Sequence, residues 1–149
     1  MSANLLLVCP HCDTLNRVPA ARLAEAPNCG QCRKALFGSH PVDLDENNFD
    51  LHASRADIPL LVDFWAPWCP PCRAMAPAFV QAASMLEPGV RLAKVNTEAH
   101  PQLGARFGIR SSPTMVLFLH GRELARQSGA MPARAIVQWA RHNLPLSPD

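Results

Sequence analysis

Six cysteines carry the chemistry that this chain of 149 residues could perform. They form three Cys-x-x-Cys pairs, which are Cys9/Cys12, Cys29/Cys32 and Cys69/Cys72. Thiolates bind soft metal ions, and paired thiols exchange electrons with disulfides. Residues 1–8 lack the basic start and the long apolar segment of a secretory signal, so we expect metal or redox chemistry and no disulfide framework.

The first two pairs predict a metal site. They form a C-x2-C-x16-C-x2-C pattern, which lies in the range of four-thiolate zinc sites. Tetrahedral sulfur ligation selects zinc, with iron as the main competitor. Four protein ligands leave no open position for water or substrate, so the metal is expected to be structural. The predicted ligands are Cys9, Cys12, Cys29 and Cys32; the alternative is that they form two redox pairs.

The third pair lies where a predicted strand, residues 60–66, is followed by a predicted helix, residues 72–86. At the N-terminus of a helix the unpaired N–H groups and the dipole stabilise a thiolate. Cys69 is therefore the expected nucleophile, exposed to solvent, and Cys72 the shielded cysteine that resolves a mixed disulfide. The alternative, a third metal knuckle, lacks a fourth Cys-x-x-Cys to complete it.

Strand and helix patterns alternate through the rest of the chain. Strands are predicted at 42–44, 60–66, 90–95, 114–119 and 123–127, and helices at 48–54, 72–86, 101–107 and 132–142. This alternation predicts an α/β fold with a mixed sheet. A Gly-Ser-His-Pro connection begins at Gly38, so we divide the chain into a zinc-binding extension, 1–38, and a second domain, 39–149.

Composition narrows the expected partners. The chain is 48% hydrophobic and 17% charged, and its formal net charge of +2 is scattered without a basic run. Its apolar stretches are far shorter than the ~20 residues of a membrane span. We expect a soluble protein that binds neither nucleic acid nor membrane, and, since no secretory signal is predicted, a cytoplasmic one.

Residues 41–144 resemble the thioredoxin family, and the two N-terminal pairs resemble its zinc-binding branch. The resemblance rests on Val62-Asp63-Phe64-Trp65-Ala66-Pro67-Trp68-Cys69, on Gly108-Ile109-Arg110-Ser111-Ser112-Pro113-Thr114 and on Gly129-Ala130. It implies the thioredoxin fold, a central mixed sheet flanked by helices, with a small zinc-ribbon-like extension. It also implies a monomeric protein-disulfide reductase that is recharged by an NADPH-dependent thioredoxin reductase and acts on oxidised client proteins. No catalytic cofactor beyond the Cys69–Cys72 dithiol is expected.

The resemblance also assigns individual roles. Asp63 matches a buried acid that exchanges a proton with Cys72 or pairs with Lys94, and Pro113 matches a cis-proline beside which a client segment lies. The residues expected to contact the client are Trp68, Pro70, Pro71, Ser112, Pro113 and Gly129.

Three departures from the family pattern limit this transfer. Pro70-Pro71 stands where most members have Gly-Pro, and Ser112 and Ser128 stand where apolar residues are usual. Pro70 removes an N–H group near the reactive sulfur and stiffens the turn. The Pro-Pro dipeptide leaves a disulfide oxidant or isomerase as an alternative function. The zinc segment leaves two others, a zinc-regulated redox sensor and a protein-binding module.

Overall fold

The computed structural model describes residues 3–145 and contains two β-sheets. The first is an antiparallel hairpin of β1 (Asn4–Val8) and β2 (Leu15–Pro19), followed by a single 3-10 turn at Ala20–Arg22. This hairpin was not predicted from the sequence, because the apolar run 5–8 has no polar alternation to indicate a strand.

The second sheet is the predicted mixed sheet, which is thereby confirmed. Its strands are β3 (Val42–Asp43), β4 (Leu60–Trp65), β5 (Arg91–Asn96), β6 (Thr114–Leu119) and β7 (Arg122–Ser128), in the spatial order β3-β5-β4-β6-β7. The strands β3, β4 and β5 run parallel, whereas β6 and β7 are antiparallel to their neighbours.

Three helices accompany this sheet: α1 (Pro70–Leu86), α2 (Pro101–Arg106) and α3 (Ala133–Asn143). The first begins two residues earlier than predicted, because proline fits the first turn of a helix, where no N–H partner is needed. The predicted helix 48–54 is instead a short π-helical segment at Leu51–Arg55. Within residues 3–145, no helix is long and apolar enough to cross a membrane.

Successive side chains of β4 point to opposite faces of the sheet, and on each face they are buried in a hydrophobic core. Leu61 joins a core with α1 and α3 that includes Met75, Phe79 and Ile136. Leu60, Val62 and Phe64 join the other core, which is rich in aromatic side chains, among them Phe49, Phe107 and Phe118. This two-sided packing fixes β4 and therefore the segment that follows it, Ala66 to Cys69.

The N-terminal lobe, residues 3–38, packs where β4 begins. Ile58, just before β4, completes the small core of the lobe. The backbone of Asp57 donates to the Leu6 carbonyl at 2.8 Å, and its carboxylate accepts from the Leu6 N–H at 2.7 Å. Buried His52 lies 2.8 Å from the Asp13 carboxylate. Because β4 has six residues rising about 3.3 Å each, the lobe and Cys69 lie at opposite ends of a strand roughly 16 Å long.

Candidate active site and metal centre

The structure brings the four N-terminal cysteines together. Their sulfur atoms all lie within 4.8 Å of one another. The Cys9–Cys32 and Cys12–Cys29 sulfur distances are 3.6 and 3.7 Å. A tetrahedral zinc ion with Zn–S bonds of about 2.3 Å requires sulfur atoms about 3.8 Å apart. The donor set and its spacing therefore fit a zinc ion.

Backbone amides around the cluster support negatively charged sulfur. The N–H of His11 donates to Cys9 Sγ, and the N–H of Gln31 donates to Cys29 Sγ, each at 3.3 Å. The side-chain amide of Asn16 is a further donor to Cys29 Sγ, at 3.4 Å. Such contacts orient thiolate ligands and stabilise their charge. His11 is exposed and its ring lies 3.2 Å from the Ala35 carbonyl, so it is no ligand, as expected from the sequence.

The third pair forms a Cys69–Cys72 disulfide at the start of α1, with the two Cα atoms 5.3 Å apart. Cys69 is the cap residue of the helix, and its sulfur accepts a hydrogen bond from the Cys72 N–H at 3.3 Å. Pro70 and Pro71 have no N–H, so the Cys72 amide is the first backbone donor that follows the nucleophile candidate. This donor and the helix dipole both favour a thiolate at Cys69.

The expectation that Cys69 is exposed is wrong for the disulfide form. Cys69 is 3% exposed and Cys72 is 2% exposed, so accessibility does not distinguish them. Cys69 packs against Cys72, Ala66 and Trp65, and the loop before β6 adds the Ser112 carbonyl oxygen, 3.3 Å from Cys69 Sγ. The exposed group at this site is the neighbouring Trp68, with 67% of its surface accessible.

Asp63 lies on β4 and is 1% exposed. Within residues 3–145 its Oδ1 atom has no hydrogen-bond partner. Burial raises the pKa of Asp63 to about 7, and the positive charge of Lys94 opposes this effect. The Lys94 ammonium lies over the Trp65 ring, 4.6 Å from its centroid, and in the described part of the chain no ion pair within 4.0 Å joins it to Asp63.

A cavity of about 360 Å³ lies beside Trp68 and Ser112. Its other walls come from α2, the preceding turn and the segment before Pro113, and include Thr97, Ile109 and Arg110. None of these three had a role assigned from the sequence; Ile109 and Arg110 belong to the motif that ends at Thr114, and no local pattern brings Thr97 close to it. The Ser112–Pro113 peptide bond is cis, and the Gly129 N–H donates to the Pro113 carbonyl at 2.9 Å.

Comparison with protein-family models gives two matches. Residues 40–142 match Thioredoxin, and residues 8–34 match Thioredoxin 2, N-terminal. These ranges contain all six cysteines, with the redox pair in the first match and the metal cluster in the second.

Two thioredoxins are similar to this chain. Thioredoxin C-3 of Corynebacterium nephridii is 46% identical over 140 residues, which cover 94% of this chain and 96% of the relative. Thioredoxin 1 of Nostoc sp. is 37% identical over 106 residues, 71% of this chain and 99% of the relative. With this similarity along nearly its whole length, the chain belongs to the thioredoxin family, as a thiol-disulfide oxidoreductase with a structural zinc site.

Proposed function

We propose that this protein reduces disulfides of client proteins with Cys69 as the nucleophile and Cys72 as the resolving cysteine. The observation that carries the proposal is the position of the pair. Cys69 caps α1 and receives the Cys72 N–H, whereas Cys72 lies one turn inside the helix. This geometry supports a thiolate at Cys69 more than at Cys72.

The exchange proceeds in two displacements. The Cys69 thiolate attacks one sulfur of the client disulfide, a Cys69–client bond forms, and the other client sulfur leaves as a thiolate. Cys72, after losing its proton, attacks Cys69 Sγ and releases the second client thiolate. The client disulfide has then gained two electrons and, on protonation, two protons, while Cys69–Cys72 has become the disulfide seen here.

Asp63 is the proposed proton acceptor for Cys72. A buried carboxylate whose pKa is raised to about 7 can bind and release a proton near neutral pH. The unpartnered Oδ1 atom supports this role, since it has a free lone pair in a site without competing donors among residues 3–145. We expect Asp63→Asn to slow the resolving step more than the initial attack.

The proposed client surface surrounds Cys69. Trp68 supplies an exposed aromatic face, and the adjoining cavity carries one positive charge, that of Arg110. The residues proposed to contact or shape the client segment are Trp68, Pro70, Pro71, Ser112, Pro113 and Gly129. A segment lying here would place its disulfide next to the Cys69 sulfur.

The four N-terminal cysteines would hold the structural zinc ion, whose binding would contribute to the folding of the lobe. We propose that the chain divides into a zinc-binding extension, 1–38, and a thioredoxin domain, 39–149. The family matches at 8–34 and 40–142 support this division, and so does the separate small core of the lobe.

We place the protein in the cytoplasm as a monomer, with an NADPH-dependent thioredoxin reductase as its electron donor. The use of the six cysteines for a metal cluster and a redox pair, and not for a disulfide framework, supports a reducing compartment. The exposed edge strand β7 carries Arg122, Glu123 and Arg126, and charges on an edge oppose pairing with a second copy.

A trapping experiment tests the assignment of the two cysteines. Reduced Cys72→Ser protein should accumulate a mixed disulfide with insulin, and peptide mass spectrometry should place it on Cys69. The matched control is Cys69→Ser, which should neither trap insulin nor reduce it. If the Cys69→Ser variant traps insulin or turns it over, the proposed function is contradicted.

A further inference from the structure

Two hydroxyl groups connect the end of β7 to the loop over Cys69. Ser128 Oγ lies 3.0 Å from Thr114 Oγ1, which lies 2.8 Å from the Ser111 carbonyl oxygen. A carbonyl oxygen only accepts hydrogen bonds, so the single Thr114 hydroxyl proton points to Ser111. Ser128 must then donate to Thr114, and the direction of the whole chain of hydrogen bonds is fixed.

The loop that these hydroxyls hold, residues 111–113, covers the nucleophile. The Ser112 carbonyl oxygen lies 3.3 Å from Cys69 Sγ, and Cys69 is almost completely buried. On the other side of Ser112, the Pro113 carbonyl accepts the Gly129 N–H at 2.9 Å. Thus two contacts hold the loop. Ser128, at the end of β7, reaches Ser111 through the Thr114 hydroxyl, and Gly129, the next residue, donates its N–H to Pro113.

The position of this loop affects the Cys69 thiolate strongly, because few backbone N–H groups donate to the Cys69 sulfur. Pro70 and Pro71 supply no N–H, so among the described contacts the Cys69 sulfur has one backbone donor, from Cys72. The Ser112 carbonyl opposes that donor, because an acceptor beside a sulfur favours the protonated thiol. Moving the carbonyl away would make the thiolate easier to form and easier to reach.

We propose that Ser128 is a positioning residue that acts through Thr114 to hold the 111–113 loop over Cys69, and so controls client binding and access to the sulfur. The inference rests on the proposed role of Cys69 as nucleophile. A held loop presents an ordered wall to the client segment, which lowers the cost of binding. A loosened loop exposes the sulfur to small reagents and binds clients less well.

The test uses full-length, zinc-loaded variants with two readouts. One is KM and kcat for insulin reduction, coupled to NADPH oxidation with excess thioredoxin reductase. The other is the pH profile of iodoacetamide alkylation of the reduced protein at Cys69, identified by mass spectrometry. Ser128→Ala removes the first hydroxyl, Ser128→Thr retains it, and Thr114→Val removes the second. The matched control is Ser84→Ala, which removes another exposed hydroxyl, one that donates to the Gln81 carbonyl at 2.7 Å on α1.

Ser128→Ala should raise KM about fivefold, the effect of one hydrogen bond, with little change in kcat. Alkylation at Cys69 should become faster, with its half-maximum at lower pH. Ser128→Thr and Ser84→Ala should behave like the unmodified protein. In the Thr114→Val background, adding Ser128→Ala should change neither readout further, because Ser128 acts through Thr114.

An unchanged KM or an unchanged alkylation profile in Ser128→Ala would overturn the proposal, whatever happens to thermal stability. Additive effects in the double variant would also overturn it, since Ser128 would then act without Thr114. Loss of turnover in Cys69→Ser leaves the proposed function standing in either case. Turnover by Cys69→Ser would instead show that the proposed function itself is wrong.

Discussion

Replacing Asp63 by asparagine should stabilise the folded protein, and the gain should grow with pH. Burial raises the pKa of Asp63 to about 7 from an ordinary value of 3.8, despite the opposing charge of Lys94. The unfolded chain therefore releases this proton first as the pH rises, and stability falls between about pH 4 and pH 7. By pH 8.5 the buried carboxylate costs about 4 kcal/mol of unfolding free energy. An uncharged amide avoids this cost.

Urea unfolding of the disulfide form measures this effect without titration of Cys72. The difference in unfolding free energy between Asp63→Asn and the unmodified protein should grow by about 2–3 kcal/mol from pH 5 to pH 8.5. The cost of burying the amide is the same at both pH values and cancels. Asp50→Asn is the control, because the hydrogen bond from Arg106 lowers the pKa of Asp50, so that its loss destabilises the fold slightly and by nearly the same amount at pH 5 and pH 8.5. A difference that stays constant with pH would mean that Asp63 titrates alike in the folded and unfolded chains, against the effect of burial.

Two further predictions concern the N-terminal lobe. Removing zinc with a chelator should lower the melting temperature but change insulin turnover less than about twofold, because the lobe packs at the end of β4 remote from Cys69; lost turnover with an intact circular dichroism signal from the second domain would favour a zinc-regulated sensor. His52→Ala should lower the unfolding free energy by about 2–4 kcal/mol, because it leaves a buried cavity and removes a hydrogen bond to Asp13. His52→Gln, whose amide can still donate to Asp13, should lower the unfolding free energy by less than His52→Ala does. Equal decreases for the two variants in urea unfolding would contradict a role for the hydrogen bond.

Local sequence predicted the chemistry well because both centres depend on short spacings. Each N-terminal Cys-x-x-Cys turn brings its own two sulfur atoms close together, so the metal cluster forms once the two turns meet. The Cys69–Cys72 pair lies between a buried strand and a helix whose first residues are prolines, all of which the sequence displays directly. The family resemblance supplied the cis bond before Pro113.

Long-range packing could not be predicted from the sequence. The lobe is positioned by Asp13 with His52 and by Leu6 with Asp57, pairs that are 39 and 51 residues apart in the chain. The contact between Cys69 Sγ and the Ser112 carbonyl joins residues that are 43 positions apart, and no residue type or spacing predicts it. The same is true of the contact between Thr114 and Ser128, which exists only because β6 and β7 pair in register.

The most direct test of the reductase assignment is the equilibrium potential of the Cys69–Cys72 pair. Zinc-loaded protein would be equilibrated in glutathione buffers and the redox state followed by tryptophan fluorescence, with Cys72→Ser as a control that lacks the transition. A reductase of this family should have a potential near the roughly −270 mV typical of thioredoxins. A value near the ~−180 mV of protein disulfide isomerase would contradict the assignment and show that Pro70 and Pro71 make this protein an oxidant or isomerase.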